Sequence, residues 1–532
     1  MVDTYLFFFF FWLGTWQDSL SQTHWYPSNV SRLARAIKPL GKNDVEQVVY
    51  YHPGVGSAGG MVDFFLGGTF GTGIVQQMKD VYGFLSYNYA ADDEIFFFGF
   101  SRGSYMVRAL CSLVMDFGIL SKAGMSEFVE VFQLYMKKKF EHNTELQKLQ
   151  RELVKRGNLT LPFNGEKPTI KVKAIGCFDT VGSLGVPRVF TWQKDDYRFL
   201  DLKLNSNVEH AFHALALDEP RFVFQPTLWF FDPKGPHFEN YKQVWFTGNH
   251  ENVGGGPMYG TAPGTNLLPP SARARIPNYI SEGALAWVLG KFFAQVPNVL
   301  SDGTLIWMVS QCQGLLDFDD NYLHMDIRGG HTRRDGEINY RATSAVQRDH
   351  PVFYRGPINY NLFFILLGAI PFWPWPPRVV RGYHPWEKDY DWFFVRWLKW
   401  LEYYIFGKHA DDHGLVTKEQ VHISVCNRDY ITGTESRALR NVVLVQEPKP
   451  NPNNGVIISE KQEHQNNGAH NNNNNNNHHD EQPPPAEKES LGGKKKKQVY
   501  ITDFSDFEKF FWRDERQNIE DKVKMKKEVK II

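Results

Sequence analysis

Ile95-Phe96-Phe97-Phe98-Gly99-Phe100-Ser101-Arg102-Gly103 is the stretch from which the fold can be read. A continuous apolar run of this length suits a strand buried on both faces. The run ends in Gly-x-Ser-x-Gly, and Ser104 to Met115 continues with helical spacing. Strand, serine turn and helix together make the context of a nucleophile elbow. Gly99 and Gly103 leave room where a Cβ would collide with neighbouring strands or with the helix. The helix N-terminus then offers backbone N–H groups to a developing negative charge, that of Arg102 first. The five letters alone are weak, since a Gly-rich β-α turn with a capping Ser carries them too. The apolar strand before them and the helix after them give the pattern its meaning.

Working outward, the same alternation recurs. Phe7 to Trp12 reads as a buried strand, Asn29 to Ile37 as a helix, and Val45 to Tyr51 as a strand closed by His52-Pro53-Gly54. Ile74 to Tyr87 has Met78, Val81 and Leu85 on one helical face. Ser126 to Arg156 is long, charged and helical, ending at Gly157-Asn158, and reads as an insertion over the sheet. Ile170 to Phe178 is the next strand, Asn207 to Leu217 a helix stopped before Pro220, and Gln243 to Thr247 a short strand. Strands alternating with helices imply an α/β fold, a mostly parallel sheet covered on both faces. The core is expected over about 1–260 and an aromatic-rich cap over 271–407, within a domain of 1–446 that includes a late strand at Val421 to Val425. Beyond it, 447–499 holds Pro448 to Pro452, the Asn471–Asn477 run, Pro483 to Pro485 and Lys494 to Lys497, a composition that cannot build a core. Residues 500–532 read as a short tail with helical character.

Composition narrows the function classes. Lys+Arg and Asp+Glu are each 59, so the balanced charge gives no sign of a nucleic-acid partner. Cys111, Cys177, Cys312 and Cys426 are scattered, with no metal-ligand spacing, and read as thiols in a reducing compartment. His478 and His479 sit in low-complexity sequence and supply no metal geometry. The glycines of Gly67 to Gly73 lack the Lys-Ser/Thr of a phosphate loop. Leu6 to Trp12 and Leu362 to Trp375 are both too short to span a bilayer, and no small-residue cleavage site follows the first. The chain therefore reads as soluble and cytoplasmic, with peripheral membrane contact as an option.

Downstream blocks give the elbow its partners. Asp179 follows a buried strand, at the end where parallel sheets place active-site groups. His250 lies on a Gly-rich loop after another strand. The order Ser, Asp, His is that of α/β-hydrolases. The plainer alternatives are that Asp179 caps a turn through Thr180 and Gly182 and that His250 is a loop histidine; His210 and His213 read as packed residues.

Phe98-Gly-Phe-Ser101-Arg-Gly-Ser-Tyr-Met-Val-Arg-Ala-Leu110 resembles the elbow of the type VI secretion phospholipase effector-like catalytic domain family. Further blocks match in order. These are Ser28-Asn-Val-Ser-Arg-Leu33, Val49 to Gly56, Phe178-Asp179-Thr-Val-Gly-Ser-Leu-Gly185, His213 to Glu219, and Gln243 to Gly256. The resemblance covers roughly the first half of the chain. It implies an α/β-hydrolase fold with Ser101 as nucleophile, His250 as base and Asp179 as acid, and no cofactor. Beside the N–H of Arg102 at the elbow, the second oxyanion donor is expected at Gly14 or Thr15. Three positions depart from the family's pattern: Leu13 and Asn252 replace Asp, and His52 replaces Asp. They keep open a second reading, a catalytically decayed binding or scaffold module.

The expected substrate is a lipid or other small carboxylic ester. Phe372-Trp-Pro-Trp375 is aromatic and followed by Arg378. Trp392 to Phe406 sets Phe393, Trp397, Trp400, Leu401 and Tyr404 on one helical face beside Arg396 and Lys399. That face suits an interfacial helix or, as preferred here, a lid packed on the core.

Overall fold

Alternate side chains of the strand Glu94–Phe100 enter opposite layers. Ile95 and Phe97 join one apolar cluster, while Phe96, Phe98 and Phe100 join another. The four Phe side chains are buried, each worth about 1.5–3 kcal/mol in transfer from water, so this strand must lie mid-sheet with helices on both sides. The computed structural model meets that demand. It describes residues 6–12, 27–52, 70–137, 142–160, 163–164, 167–168, 170–181, 204–219, 224, 226–256, 258–259, 295–296, 300–324, 378, 416–426, 436–439, 442–446 and 497–511.

Among these, the main sheet contains β1 (Leu6–Trp12), β2 (Glu46–His52), β3 (Glu94–Phe100), β4 (Val172–Phe178), β5 (Val208–Ala216), β6 (Tyr241–Phe246), β7 (Glu419–His422), β8 (Val442–Gln446) and β9 (Lys497–Thr502). Their spatial order is β8-β9-β7-β6-β5-β4-β3-β1-β2, and every neighbouring pair is parallel. The helices are α1 (Asn29–Ala36), α2 (Phe70–Asn88), α3 (Arg102–Phe117), α4 (Phe128–Lys137), α5 (Thr144–Lys155), α6 (His250–Gly254), α7 (Leu300–Gln311), α8 (Asp320–His324) and α9 (Asp506–Phe511). One face of the sheet is covered by α2 to α5 through Val81, Leu110, Val114, Phe132 and Leu153. The other is covered by α1 and α7 through Val30, Leu33, Leu305 and Met308. β1 has β2 on one side and β3 on the other, so strand order reverses there. Ligands of open parallel sheets bind at such a switch point, beyond the carboxyl ends of the strands.

Several elements differ from expectation. Asn207 to Leu217 is not a helix but β5, paired in parallel with β4 and β6. Val208, Ala211, Phe212 and Leu215 have helical spacing. However, the segment is apolar on both faces, and periodicity cannot separate a doubly buried strand from a helix. His210 and His213 are therefore strand residues. The insertion at 126–156 is divided, with α4 and α5 separate and Asn143 capping α5 through Leu146 N. α7 falls in the stretch read as cap, yet Leu305, Ile306, Trp307, Met308 and Val309 are buried in the sheet's cover. The tail contributes more than a short helix. β9 lies between β7 and β8, and α9 follows it. No helix of the described residues is long and apolar enough to cross a membrane. The aromatic stretches Phe372 to Trp375 and Trp392 to Phe406 lie outside the described residues.

Candidate active site

Ser101 stands between the end of β3 and the start of α3 with φ 58° and ψ −122°. That region is disfavoured for a side-chain-bearing residue and costs about 1–3 kcal/mol. The surroundings enforce it. Ser101 N donates to Phe178 O at 3.0 Å, and Ser101 O accepts from Val181 N and Tyr105 N. Close packing of α3 on β3 explains Gly99, since a Cβ there would sit 2.6 Å from Ser104 N and 2.7 Å from the carbonyl carbon of Gly103. The sharp turn leaves the Ser101 hydroxyl at the sheet's carboxyl edge. Arg102 is the first residue of α3, whose opening turn carries N–H groups that have no acceptor within a helix.

His250 arrives from the loop after β6 as the first residue of α6. Asn249 caps this short helix, its side chain accepting from Asn252 N at 3.0 Å while Asn252 Oδ1 accepts from Asn249 N at 3.0 Å. An amide oxygen at position 252 thus accepts the bond that a carboxylate oxygen there could accept. Gly248 has φ 118° beside Asn252, and Gly255 has φ 77° against Asn29 N, so both bends need glycine. Glu219, buried in the loop after β5, accepts from His250 N at 3.0 Å, and neighbouring Asp218 accepts from Gly248 N at 2.8 Å. The imidazole is held between Phe100 and Phe224, at ring distances of 4.7 and 4.8 Å.

These constraints bring the three residues into one chain. His250 Nε2 lies 2.7 Å from Ser101 Oγ, and His250 Nδ1 lies 2.6 Å from Asp179 Oδ2. Asp179 follows β4 with φ 40°, anchored by its N–H on Ala214 O at 2.7 Å. Its Oδ1 accepts from Ala216 N at 2.9 Å. Arg378 adds a two-pronged pair, Nη1 to Oδ1 at 2.6 Å and Nη2 to Oδ2 at 2.9 Å. Burial alone would push the Asp179 carboxyl up. The Arg378 guanidinium and His250 outweigh it and hold the group well below the usual carboxylate range. An ionised Asp179 accepts a hydrogen bond from His250 Nδ1–H and so keeps the ring proton there, which leaves Nε2 as the lone-pair nitrogen facing the hydroxyl.

His213 holds the backbone next to Asp179. Its Nε2 accepts from Thr180 N at 3.1 Å and its Nδ1 meets Gln243 Oε1 at 3.1 Å. Burial, then the charge of Arg108, pushes its pKa down to about 3, so it serves as a neutral, packed residue. Gln243 in turn ties β6 to Trp229 N and Trp229 O.

Ser101, Asp179 and His250 are thus brought together, with Gly99, Gly103 and Arg102 at the turn. Gly14, Thr15 and Leu13 lie outside the described residues. His52 ends β2, half-buried. Sequence reasoning missed the roles of Glu219 and Gln243, although both fall inside matched blocks. It named Arg378 only as a neighbour of the aromatic segment and missed its buried contact with Asp179, 199 residues away. Among the described residues no group of His, Cys, Asp and Glu is arranged to hold a metal ion.

A parallel sheet with helices on both faces, carrying a Ser–His–Asp chain beyond its carboxyl edge, is the arrangement of an α/β-hydrolase-like protein. The particular family follows from the sequence: this chain belongs to the type VI secretion system phospholipase effector Tle1-like catalytic domain family, whose pattern matches residues 11–311. An uncharacterized protein of Saccharomyces cerevisiae is 30% identical over 194 residues, 34% of this chain and 27% of that relative, so the match spans about a quarter of the relative's length. The Tle1 effector solved bound to the VgrG spike of the type 6 secretion system is similar at 15% identity and a TM-score of 0.34, over 67% of this chain and 81% of that one. An uncharacterized protein from Pseudomonas aeruginosa is similar at 16% identity and a TM-score of 0.27, over 47% and 42% of the two chains.

Proposed function

We propose that this chain is a serine hydrolase that cleaves carboxylic esters of lipids or phospholipids through an acyl-enzyme on Ser101. The observation that carries the reading is the unbroken chain from Ser101 Oγ through His250 to Asp179, with Ser101 on a strained elbow. His250 Nε2 takes the hydroxyl proton as Oγ attacks the ester carbonyl. The resulting imidazolium is stabilised by Asp179 and returns its proton to the leaving alkoxide. Water, deprotonated by the same nitrogen, then releases the acid and regenerates Ser101. The tetrahedral oxyanion is received by the N–H of Arg102 and by a second donor at Gly14 or Thr15. No cofactor is needed.

The family's description as a phospholipase effector domain supports a lipid ester as substrate. Under this reading the protein works in the cytoplasm in peripheral contact with a membrane. The direct test incubates the protein with phospholipid vesicles in ¹⁸O water and follows fatty acid and lysophospholipid by mass spectrometry. One labelled oxygen in the released acid, absent with Ser101→Ala, is the expected result. A folded protein that releases no acid from any vesicle or short-chain ester contradicts the reading. It would favour the decayed binding module, which Leu13 in place of the family's Asp suggests.

A further inference from the structure

We propose that Arg378 is a positioning residue of the Ser101 centre, gripping both oxygens of Asp179 so that the carboxylate stays charged and correctly aimed at His250. The inference rests on the serine-hydrolase reading and deepens it. Its basis is geometric. Arg378 is 1% exposed, far too buried for a surface cation, and all four of its terminal N–H groups have acceptors. Nη1 donates to Asp179 Oδ1 and to Ala216 O, each at 2.6 Å. Nη2 donates to Asp179 Oδ2 at 2.9 Å and to Phe224 O. The backbone acceptors belong to β5 and to the residue whose ring packs edge-on against His250. The guanidinium therefore bridges the triad acid to two parts of its wall.

An aspartate needs such help here. Asp179 is wholly buried, and a buried carboxylate without a cation takes up a proton at higher pH. A protonated Asp179 would no longer hold the imidazole proton on Nδ1, and Nε2 would lose its lone pair toward Ser101. The charged and titratable groups around Asp179 are few among the described residues. His250 on α6 is its hydrogen-bond partner, and Arg378 is its cation. His213 on β5 is neutral until about pH 3. Glu219, in the loop after β5, is engaged with His250 N. Arg378 is the one permanent positive charge in direct contact with the carboxylate among these residues. The planar fork also fixes orientation, because it meets both oxygens at once, which a lysine ammonium cannot do.

The experiment compares wild type, Arg378→Lys and Arg378→Gln by the rate of fluorophosphonate labelling between pH 5 and 9. It is paired with the far-downfield proton resonance of His250 Nδ1–H. In Arg378→Gln the acid limb of the labelling profile should move up by about 1–3 pH units, and the downfield resonance should vanish or move. Arg378→Lys, which keeps the charge but not the fork, should label more slowly with its limb unmoved. A residue that merely supports the fold would scale the rate and leave both the limb and the resonance in place. Unchanged limb and resonance in a folded Arg378→Gln overturn the proposal. Should that variant not fold, Arg378→Lys decides, since a wild-type labelling rate there overturns it too. Wild type that never labels refutes the hydrolase reading alone. The downfield proton, present in wild type and altered in Arg378→Gln, would still support the positioning role, and its absence from wild type or persistence in the variant would refute it.

Discussion

Replacing Asp179 by Asn keeps the size of the side chain and removes its charge, leaving Arg378 buried without a counter-ion. Both residues are essentially inaccessible, the two charges meet through two short contacts, and Oδ1 also serves Ala216 N. Breaking a buried ion pair by deleting one partner costs about 3–5 kcal/mol, because the remaining charge stays desolvated. The amide group of Asn adds a conflict, since its NH₂ must face either the guanidinium or the Nδ1 proton. Asp179→Asn should therefore lose about 3–5 kcal/mol in urea unfolding, followed by the fluorescence of buried Trp229, Trp245 and Trp307. The sign of the pH dependence follows from the depressed carboxyl. Its stabilisation is complete above the unfolded value of about 3.9 and is lost as pH falls below that toward the folded value. The gap between wild type and variant should be flat from pH 7 to 5 and close only below about pH 4. Arg378→Met added to Asp179→Asn should recover much of the loss, since an apolar pair can replace a buried ion pair at little cost. A loss under about 1 kcal/mol at pH 7, against the 3–5 expected, would refute the view that this pair is buried and mutually dependent.

Further expectations concern the turn and its supports. Gly99→Ala drives a Cβ into the backbone of Gly103 and Ser104, so it should cost at least about 1–3 kcal/mol and abolish probe labelling together. Ser101→Gly and Ser101→Ala both remove the hydroxyl, but only glycine accepts φ 58° freely, and thermal unfolding should rank Gly above Ala by about 1 kcal/mol. Asn249→Ala removes the cap of α6 and should cost about 0.5–2 kcal/mol in urea unfolding, with slower labelling because His250 is the next residue. His213 is held neutral, so the unfolded chain binds a proton first on acidification. Stability from this group is complete above about pH 6.5 and is lost between there and about pH 3. His213→Asn should flatten that part of the stability profile.

The legible parts of this protein were those with local determinants. β3, its glycines and α3 are written in consecutive residues, and each constraint is satisfied by neighbours in sequence. That Asp179 and His250 come to lie beside Ser101 was legible because each follows a strand at the carboxyl edge and their order in the chain fits the elbow. β5 was misread because Ala211, Phe212, Ala214 and Leu215 are apolar on both faces, so no alternation marks the strand. α7 fell within a stretch read as cap because Gly, Pro, Trp and Phe are mixed through it, and its own buried run Leu305 to Val309 shows no polar face that would mark a helix. β9 was hidden by the lysines before it, although Val499 and Ile501 keep the strand period. The α9 carboxylate of Glu508 meets His422 of β7 at 3.1 Å, a long-range pair that no local pattern announces. Arg378 has the same character, its role being defined entirely by Asp179, Ala216 and Phe224.

The central claim is that Ser101 is an activated nucleophile, and fluorophosphonate labelling with mapping of the modified peptide tests it most directly. The account predicts one labelled residue, Ser101, with labelling lost in Ser101→Ala and reduced about 10⁴-fold in Asp179→Asn. A folded wild-type protein that stays unlabelled, or carries the probe on another residue, would contradict it.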